Sequence, residues 1–507
     1  MSNLYRLLFF LLSCSLHAQS VRDTLQTTML QPADMQADFR YFRRLLEETH
    51  PGLYRYTPKA IMQAKLDSID GTLTKLMPFY AFYQTIEALI IDIRCAHTHA
   101  FPTKEWRRGF DTWKTFPLFI LPIQNRSYVL FNGTANPLIK PGFELLRING
   151  RDMASIQQIL YRYHWSDGYI QTSKEASMKG ALFALFYYWF VEQPDTFQLS
   201  FRTLAGDTIQ VDVPAQPFPT SLKGYIKNSV NKQMIAWYYQ KNQKHPWRLS
   251  FPKDVAQTAY LRIDGFSGEG ATSNETAVAR FRVFMDKTMA KIEKQKARNL
   301  IIDLRDNPGG WDSQGIELFT YLMKSDSAAP YYARQHSVTD SSEFIQFSDL
   351  SEADRKNIKN ELIPEPDGTF TLRQGDSGRG PKRYSPKPNR FRGKVYVLMN
   401  GQSASTTSEF LAVAHANKVG VFIGEESGGA YEGGNGGSFI TLELPHSKIQ
   451  VGTPLVYYNM AVGKTDARGR GTLPDYTVPI SLKNILEHTD DQLDFVKKLI
   501  RTHLSSN

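Results

Sequence analysis

The run Asn299-Leu300-Ile301-Ile302-Asp303-Leu304-Arg305-Asp306-Asn307-Pro308-Gly309-Gly310 constrains this chain more than any other stretch. Leu300, Ile301, Ile302 and Leu304 form a nearly continuous apolar run, which predicts a short strand covered on both faces. Pro308-Gly309-Gly310 then ends it. Glycines let the backbone turn sharply and leave N–H groups with no side chain in the way. Residues 394–399 repeat the pattern and stop at Asn400-Gly401-Gln402-Ser403-Ala404-Ser405. One strand end offers bare amides and the other offers hydroxyls, a pairing suited to acyl transfer.

At 507 residues the chain is long enough for about three domains of roughly 150 residues each. Hydrophobic residues at 41% and charged residues at 22% indicate folded globular material. The net charge is +10, but basic and acidic residues interleave and no Lys/Arg stripe with stacking aromatics stands out. That argues against a nucleic-acid partner and fits peripheral association with an anionic envelope membrane. Residues 1–18 read as a signal peptide, with Arg6 closing a cationic start, an apolar core over 7–12, and small residues before Gln19. The protein is therefore expected in the periplasm or secreted. Leu11-Leu12-Ser13-Cys14 loosely fits a lipobox, so anchoring as a lipoprotein through Cys14 is the alternative. No later stretch reaches the ~18 apolar residues that cross a bilayer. The only cysteines are Cys14 and Cys95, so stability is expected from the core, without an internal disulfide.

The pattern divides the chain into an α+β multidomain protein. Residues 24–115 are expected to be a helical N-terminal region, with apolar spacing at Phe39, Phe42, Leu45, Leu46 and later Phe79, Phe82, Tyr83, Ile86, Leu89. Strands dominate 116–215, where Gly142-Phe143-Glu144-Leu145-Leu146-Arg147-Ile148-Asn149-Gly150 loosely resembles a PDZ signature. A linker over 216–257 follows. An α/β core spans 258–485, with strands at 259–263, 300–304 and 394–399 and helices near 276–296, 314–323 and 406–417. A polar, Pro-rich insertion or lid occupies 324–388, and residues 486–507 form a C-terminal helix.

The two loops, taken together, resemble the C-terminal processing (tail-specific) serine peptidases. The Leu304-Arg305-x-Asn307-x-Gly309-Gly310 strand end and the Ser403-Ala404-Ser405 loop carry the likeness. Ile423-Gly424-Glu425-Glu426-Ser427-Gly428-Gly429 and Arg470-Gly471-Thr472-Leu473-Pro474-Asp475 extend it. His50-Pro51-Gly52-Leu53-Tyr54 and Cys95-Ala96-His97-Thr98 are similar to the tricorn-like secreted bacterial branch. The resemblance implies a ClpP/crotonase-like core, a peptide or protein substrate, and no metal or organic cofactor.

The residues around 405 leave several hydroxyls open. Thr406-x-x-Glu409 fits a capping box that would begin the helix at 406 and leave Ser405 free beside the positive helix end. Without the resemblance, Ser403, Ser405 and Ser408 could be plain loop hydroxyls. The tricorn-like pattern selects Ser405 as nucleophile, with Ser403 and Thr406 as runners-up. Gly309, Gly310 and Thr406 are the candidate oxyanion amides. No lysine follows where tail-specific enzymes place one, and the tricorn-like motif points to His97 as general base. Alternatives for His97 are a structural role, or a metal site with Cys95 and His99 if the three share one face of a strand. Asp466 is the carboxylate expected to orient the imidazole, with Glu425 and Glu426 as substitutes. Gly428 and Gly429, in a loop with six glycines over 428–437, would border the substrate strand. A rival function is a catalytically inactive member of the fold that binds apolar ligands or peptides, with rings such as those at 183–190 lining the pocket.

Overall fold

The computed structural model of the protein describes residues 28–103, 111–240, 245–373, 381–465 and 467–505. The signal-like segment 1–18, Cys14 and Asp466 lie outside the described residues. Among the described residues no helix is long and apolar enough to cross a membrane.

The apolar runs at 300–304 and 394–399 are buried strands at the centre of the α/β half. Its sheet has the order Trp247–Ser250, Thr258–Ile263, Asn299–Asp303, Lys394–Met399, Val421–Gly424, Tyr476–Thr477. The first pairing is antiparallel and the others are parallel. Alternation along each strand feeds two different cores. Leu300, Ile302, Val395 and Val397 pack under the helices Asn274–Lys294, Asp312–Thr320 and Thr406–Ala416. Ile301, Tyr396 and Leu398 point the other way, against Val496 and Ile500 of the helix Asp491–Ser505. Both faces being covered is why these strands read as continuous apolar runs.

Three helices, Pro32–Thr49, Lys59–Thr72 and Phe79–Ile93, form the N-terminal region. Phe39, Phe42, Leu45 and Leu46 bury one stripe of the first, and the third stops at Arg94, which takes a left-handed conformation at φ 59°. The antiparallel sheet that follows runs Thr208–Pro214, Thr196–Arg202, Glu144–Ile148, Arg126–Asn132, Leu118–Ile123, an arrangement compatible with a PDZ-like unit. It shares one apolar core with the N-terminal helices. The helix Ala181–Phe190 belongs to that core: Phe116 meets Phe183 and Phe197 edge-on, and Trp113 stacks on Tyr188 at 5.0 Å. The rings at 183–190 are thus committed to packing.

Two expectations need correction. The stretch 216–257 is no simple linker, since it folds into the helices Phe218–Lys227 and Lys232–Gln240 and the edge strand Trp247–Ser250. Nor is 324–388 a detachable lid. Its strand Tyr332–Ser337 pairs with the long strand Gln450–Met460, in a sheet that also holds Leu362–Pro364, Phe370–Leu372 and Gly433–Glu443. Its polarity reflects partial solvent exposure of short strands and of the helix Glu352–Glu361. The remaining edge of Gln450–Met460 takes His99–Phe101 by antiparallel pairing, Gly452 opposite His99. That pairing draws the N-terminal region onto the α/β half.

Arg305 fixes the end of the central strand. Its guanidinium donates to Asp303 at 2.9 and 2.6 Å and to Asp490 at 2.7 and 2.8 Å, and Arg262 adds a contact to Asp303 at 2.6 Å. Burial alone would raise the Asp303 carboxyl, but Arg262 and Arg305 outweigh it and hold it well below the usual range. Such a group stabilises the fold above its unfolded pKa, near 4, and that contribution fades as pH falls through the lowered folded value. Arg305→Ala removes one partner of a buried charge, so unfolding free energy should drop by about 3–5 kcal/mol. Denaturant titration at neutral pH measures it.

Candidate active site

Two strand ends are stitched into one surface. Asn307 is buried; its side chain donates to the Ile263 carbonyl at 3.0 Å and accepts the Gly309 amide at 2.9 Å. Its carbonyl accepts the Ala404 amide at 3.1 Å. Ser403 is also buried and donates to the Leu304 carbonyl at 2.9 Å while accepting the Asn400 amide. Ser403 is therefore a structural hydroxyl. Gly309 and Gly310 have φ of 97° and 139°, and side chains there would collide. A Cβ on Gly309 would sit 2.7 Å from Ser405 Cβ, and one on Gly310 would sit 2.1 Å from the Phe266 carbonyl oxygen. Only glycine permits this approach.

Ser405 is the N-cap of the helix Thr406–Ala416, at φ 54° and ψ −132°. A non-glycine residue held there costs roughly 1–3 kcal/mol, and such strain concentrates at functional sites. Its hydroxyl caps nothing and has no hydrogen-bond partner among the described residues. The capping box expected from Thr406 and Glu409 does not form. Thr406 Oγ1 instead lies 2.8 Å from the Gly310 carbonyl and 2.9 Å from Asp312 Oδ1, and Glu409 accepts from the Tyr332 hydroxyl at 2.8 Å. The reason is tertiary: a second loop competes for the Thr406 hydroxyl.

The oxyanion candidates divide. The Gly309 amide is spent on Asn307 Oδ1, so its expected role as a donor is corrected. The Gly310 and Thr406 amides have no partner among the described residues and border the Ser405 side chain. Gly428 and Gly429 are buried against the nucleophile loop: a Cβ on Gly428 would meet the Gly401 carbonyl at 2.4 Å, and one on Gly429 the Ser408 hydroxyl at 2.1 Å. Their smallness serves internal packing, which corrects the expectation that they line a substrate strand.

His97 comes to this surface by way of His99–Phe101. It lies in a turn, so Cys95, His97 and His99 do not share a strand face as the metal alternative required. Among the described residues no cluster suited to a metal ion is found. The His97 ring lies 5.7 Å from that of Phe439, its Nδ1 is buried without a partner, and its charge acts on Asp312. No hydrogen bond joins it to Ser405 among the described residues.

Residues that sequence reasoning missed hold the turn. Asp167 Oδ1 accepts the Ala96 amide at 2.8 Å, and nothing around Ser166-Asp167-Gly168 signals that role. His50 Nδ1 accepts the Gly52 amide at 3.0 Å, so Nε2 carries the proton it donates to Thr98 Oγ1 at 2.7 Å. Among the alternative carboxylates, Glu426 is a two-pronged partner of Arg470 at 2.7 Å. Burial, then Glu175 and Asp306, push Glu425 up to about 7. Its charged neighbours do not include the turn that bears His97. Asp312, at the first turn of the helix after Gly-Gly, is the other residue missed. A cavity of about 680 Å³ lined by His50, Arg55, His336, Glu432, Tyr457 and Arg468 opens on the strand face opposite Tyr458, which faces Asp312.

Residues 257–478 match the model of peptidase family S41, so this chain carries a peptidase family S41 domain, as the motifs implied. Among solved structures, mature CPAF aligns over 94% of this chain and 98% of its own at 16% identity and TM-score 0.61. Mature CPAF complexed with lactacystin aligns over 94% and 99% at 15% identity and TM-score 0.62. The photosystem II D1 C-terminal processing protease aligns over 89% and 96% at 14% identity and TM-score 0.40. At these identities the likeness to CPAF establishes a shared fold. No curated protein sequence matches significantly.

Burial lowers the His50 imidazole to about 4. Because the folded value lies below the unfolded one near 6.5, its contribution to stability is present above that pH and is lost as pH falls toward 4. An NMR titration should find His50 neutral until about pH 4; a midpoint near 6.5 would contradict the buried Nδ1-acceptor arrangement.

Proposed function

We propose that the protein is an exported serine-type peptidase that hydrolyses peptide bonds through an acyl-enzyme at Ser405. The observation that carries this reading is a strained, uncapped Ser405 hydroxyl at a helix N-terminus, bordered by two unpaired amides. Ser405 Oγ attacks the scissile carbonyl carbon and His97 takes its proton. The Gly310 and Thr406 amides hold the oxygen that becomes negative, where one such donor contributes on the order of 3 kcal/mol. Collapse expels the amine, which receives the proton from His97, and water then releases the acyl group by the same route. Free enzymes often hold base and nucleophile too far apart for a hydrogen bond, and substrate closes the gap. The buried, unpaired Nδ1 of His97 leaves Nε2 as the proton acceptor and marks where an orienting carboxylate would bond; Asp466 is the residue proposed for it. The ligand-binding alternative has less support, because the rings at 183–190 are packed in the core.

A fluorophosphonate probe and an unfolded protein substrate test the reading. Ser405→Ala and His97→Ala should each abolish labelling and reduce hydrolysis by roughly a thousandfold or more, with a smaller loss in Asp466→Ala. Hydrolysis that persists unchanged in the first two variants would reject the assignment. Export is tested separately: N-terminal sequencing of the mature protein should begin at Gln19, and a lipid-linked Cys14 would overturn plain cleavage.

A further inference from the structure

Thr406 Oγ1 touches two oxygens at once, the Gly310 carbonyl at 2.8 Å and Asp312 Oδ1 at 2.9 Å. A hydroxyl has one proton to give. One proton shared between the two would make a weaker three-centre bond; both are full hydrogen bonds only if one partner supplies a proton, and a carbonyl oxygen has none. We propose that the Asp312 carboxyl, in its protonated form, donates to Thr406 Oγ1 and so commits the Thr406 hydroxyl to the Gly310 carbonyl, which makes Asp312 a positioning residue for the paired Gly310 and Thr406 amides. The inference rests on the peptidase reading above.

The geometry gives this link a purpose. Gly310 and Thr406 belong to loops at the ends of neighbouring parallel strands, and their free amides flank Ser405. The bond from the Thr406 hydroxyl to the Gly310 carbonyl fixes the orientation of the peptide group that follows Gly310 and ties the two loops together. Trp311 N, on that same peptide group, is held by the Phe266 carbonyl at 2.8 Å, so the group is gripped at both ends. If Asp312 ionises, the carboxylate becomes the stronger acceptor. The Thr406 proton then turns to it, and Gly310 is held from one side only.

The surroundings favour the protonated form of Asp312 beyond what an exposed carboxyl would show. Burial raises it, while the hydrogen bonds to Thr406 and Tyr458 and the charge of His97 pull it partly back. Glu409, on the nucleophile helix, is itself raised by burial and by Asp312. Tyr331 and Tyr332 approach from the start of the strand Tyr332–Ser337, and Tyr384 from the short strand Arg383–Tyr384. No Lys or Arg figures among the groups acting on the carboxyl. The Tyr458 hydroxyl adds a second hydrogen bond to Asp312 and completes a chain from Tyr458 through Asp312 and Thr406 to Gly310.

The test follows fluorophosphonate labelling of the full chain against pH. Thr406→Val keeps the shape without the hydroxyl and should slow labelling about tenfold or more, as expected for a misplaced donor. Thr406→Ser should restore the lost rate. Asp312→Asn can still donate but cannot ionise, so it should label near neutral pH and lose the alkaline decline expected of the parent protein. Labelling of Thr406→Val at the parent rate, or an unchanged alkaline decline in Asp312→Asn, overturns the inference. Should Thr406→Val fail to fold, the Asp312→Asn profile decides alone. Labelling that survives in Ser405→Ala would instead strike the peptidase reading, so the two failures are distinguishable.

Discussion

The grip of Asn307 on its neighbours is the contact on which this site depends. One side chain closes the turn at Gly309, anchors it to the strand Thr258–Ile263, and its backbone carbonyl receives the Ala404 amide. Three strands that run parallel end at the same edge, where open α/β sheets place their ligand crevices. Because the grip is made by a fully buried amide side chain, each of its hydrogen bonds is expensive to lose. The strained Ser405 conformation persists because the loops on both sides are over-determined by such bonds.

The second requirement is distance along the chain. More than three hundred residues separate His97 from Ser405, and local propensity cannot bring them together. The strand Gln450–Met460 ties the segment after His97 to the α/β half by dividing one of its edges between Tyr332–Ser337 and His99–Phe101. Its inner face presents Tyr458 to Asp312, and its partner strand Gly433–Glu443 presents Phe439 to His97. The polar insertion therefore has an architectural duty: it completes the sheet that positions the imidazole.

Much of this was legible in the residues. The strand at 394–399 falls where its apolar run said it would, as do the helices near 276–296 and 406–417, because burial on two faces or along one stripe writes itself into sequence periodicity. Gly309-Gly310 reads as a turn from the same local grammar, but Ser405 stands out from its neighbouring hydroxyls only through the family resemblance, since the capping box that would leave it free does not form. What could not be read is every outcome decided by competition between distant groups. Thr406 and Glu409 satisfy a capping pattern, yet each finds a better partner across the core. Gly309 has the right residue type for an oxyanion donor, and only Asn307 folding back shows that its amide is spent. Residues 216–257 looked like a linker because their helices are short and half exposed.

The two loops combine paired side chains with open backbone donors. The side chains of Ser403, Ser408, Thr406, Asn307 and Asn400 all have hydrogen-bond partners. Ser405, the Gly310 and Thr406 amides and His97 Nδ1 do not among the described residues. Ser405 is half-buried and Gly310 is exposed, so water can reach them, whereas His97 Nδ1 is buried and buried polar groups are overwhelmingly paired. On the proposed reading a tetrahedral oxygen would occupy the amides, the proton leaving Ser405 would go to His97 Nε2, and Nδ1 would take the orienting carboxylate. The side chains that tie the two loops together are paired while the proposed oxyanion amides stay open, an arrangement of the kind that electrostatic preorganisation requires.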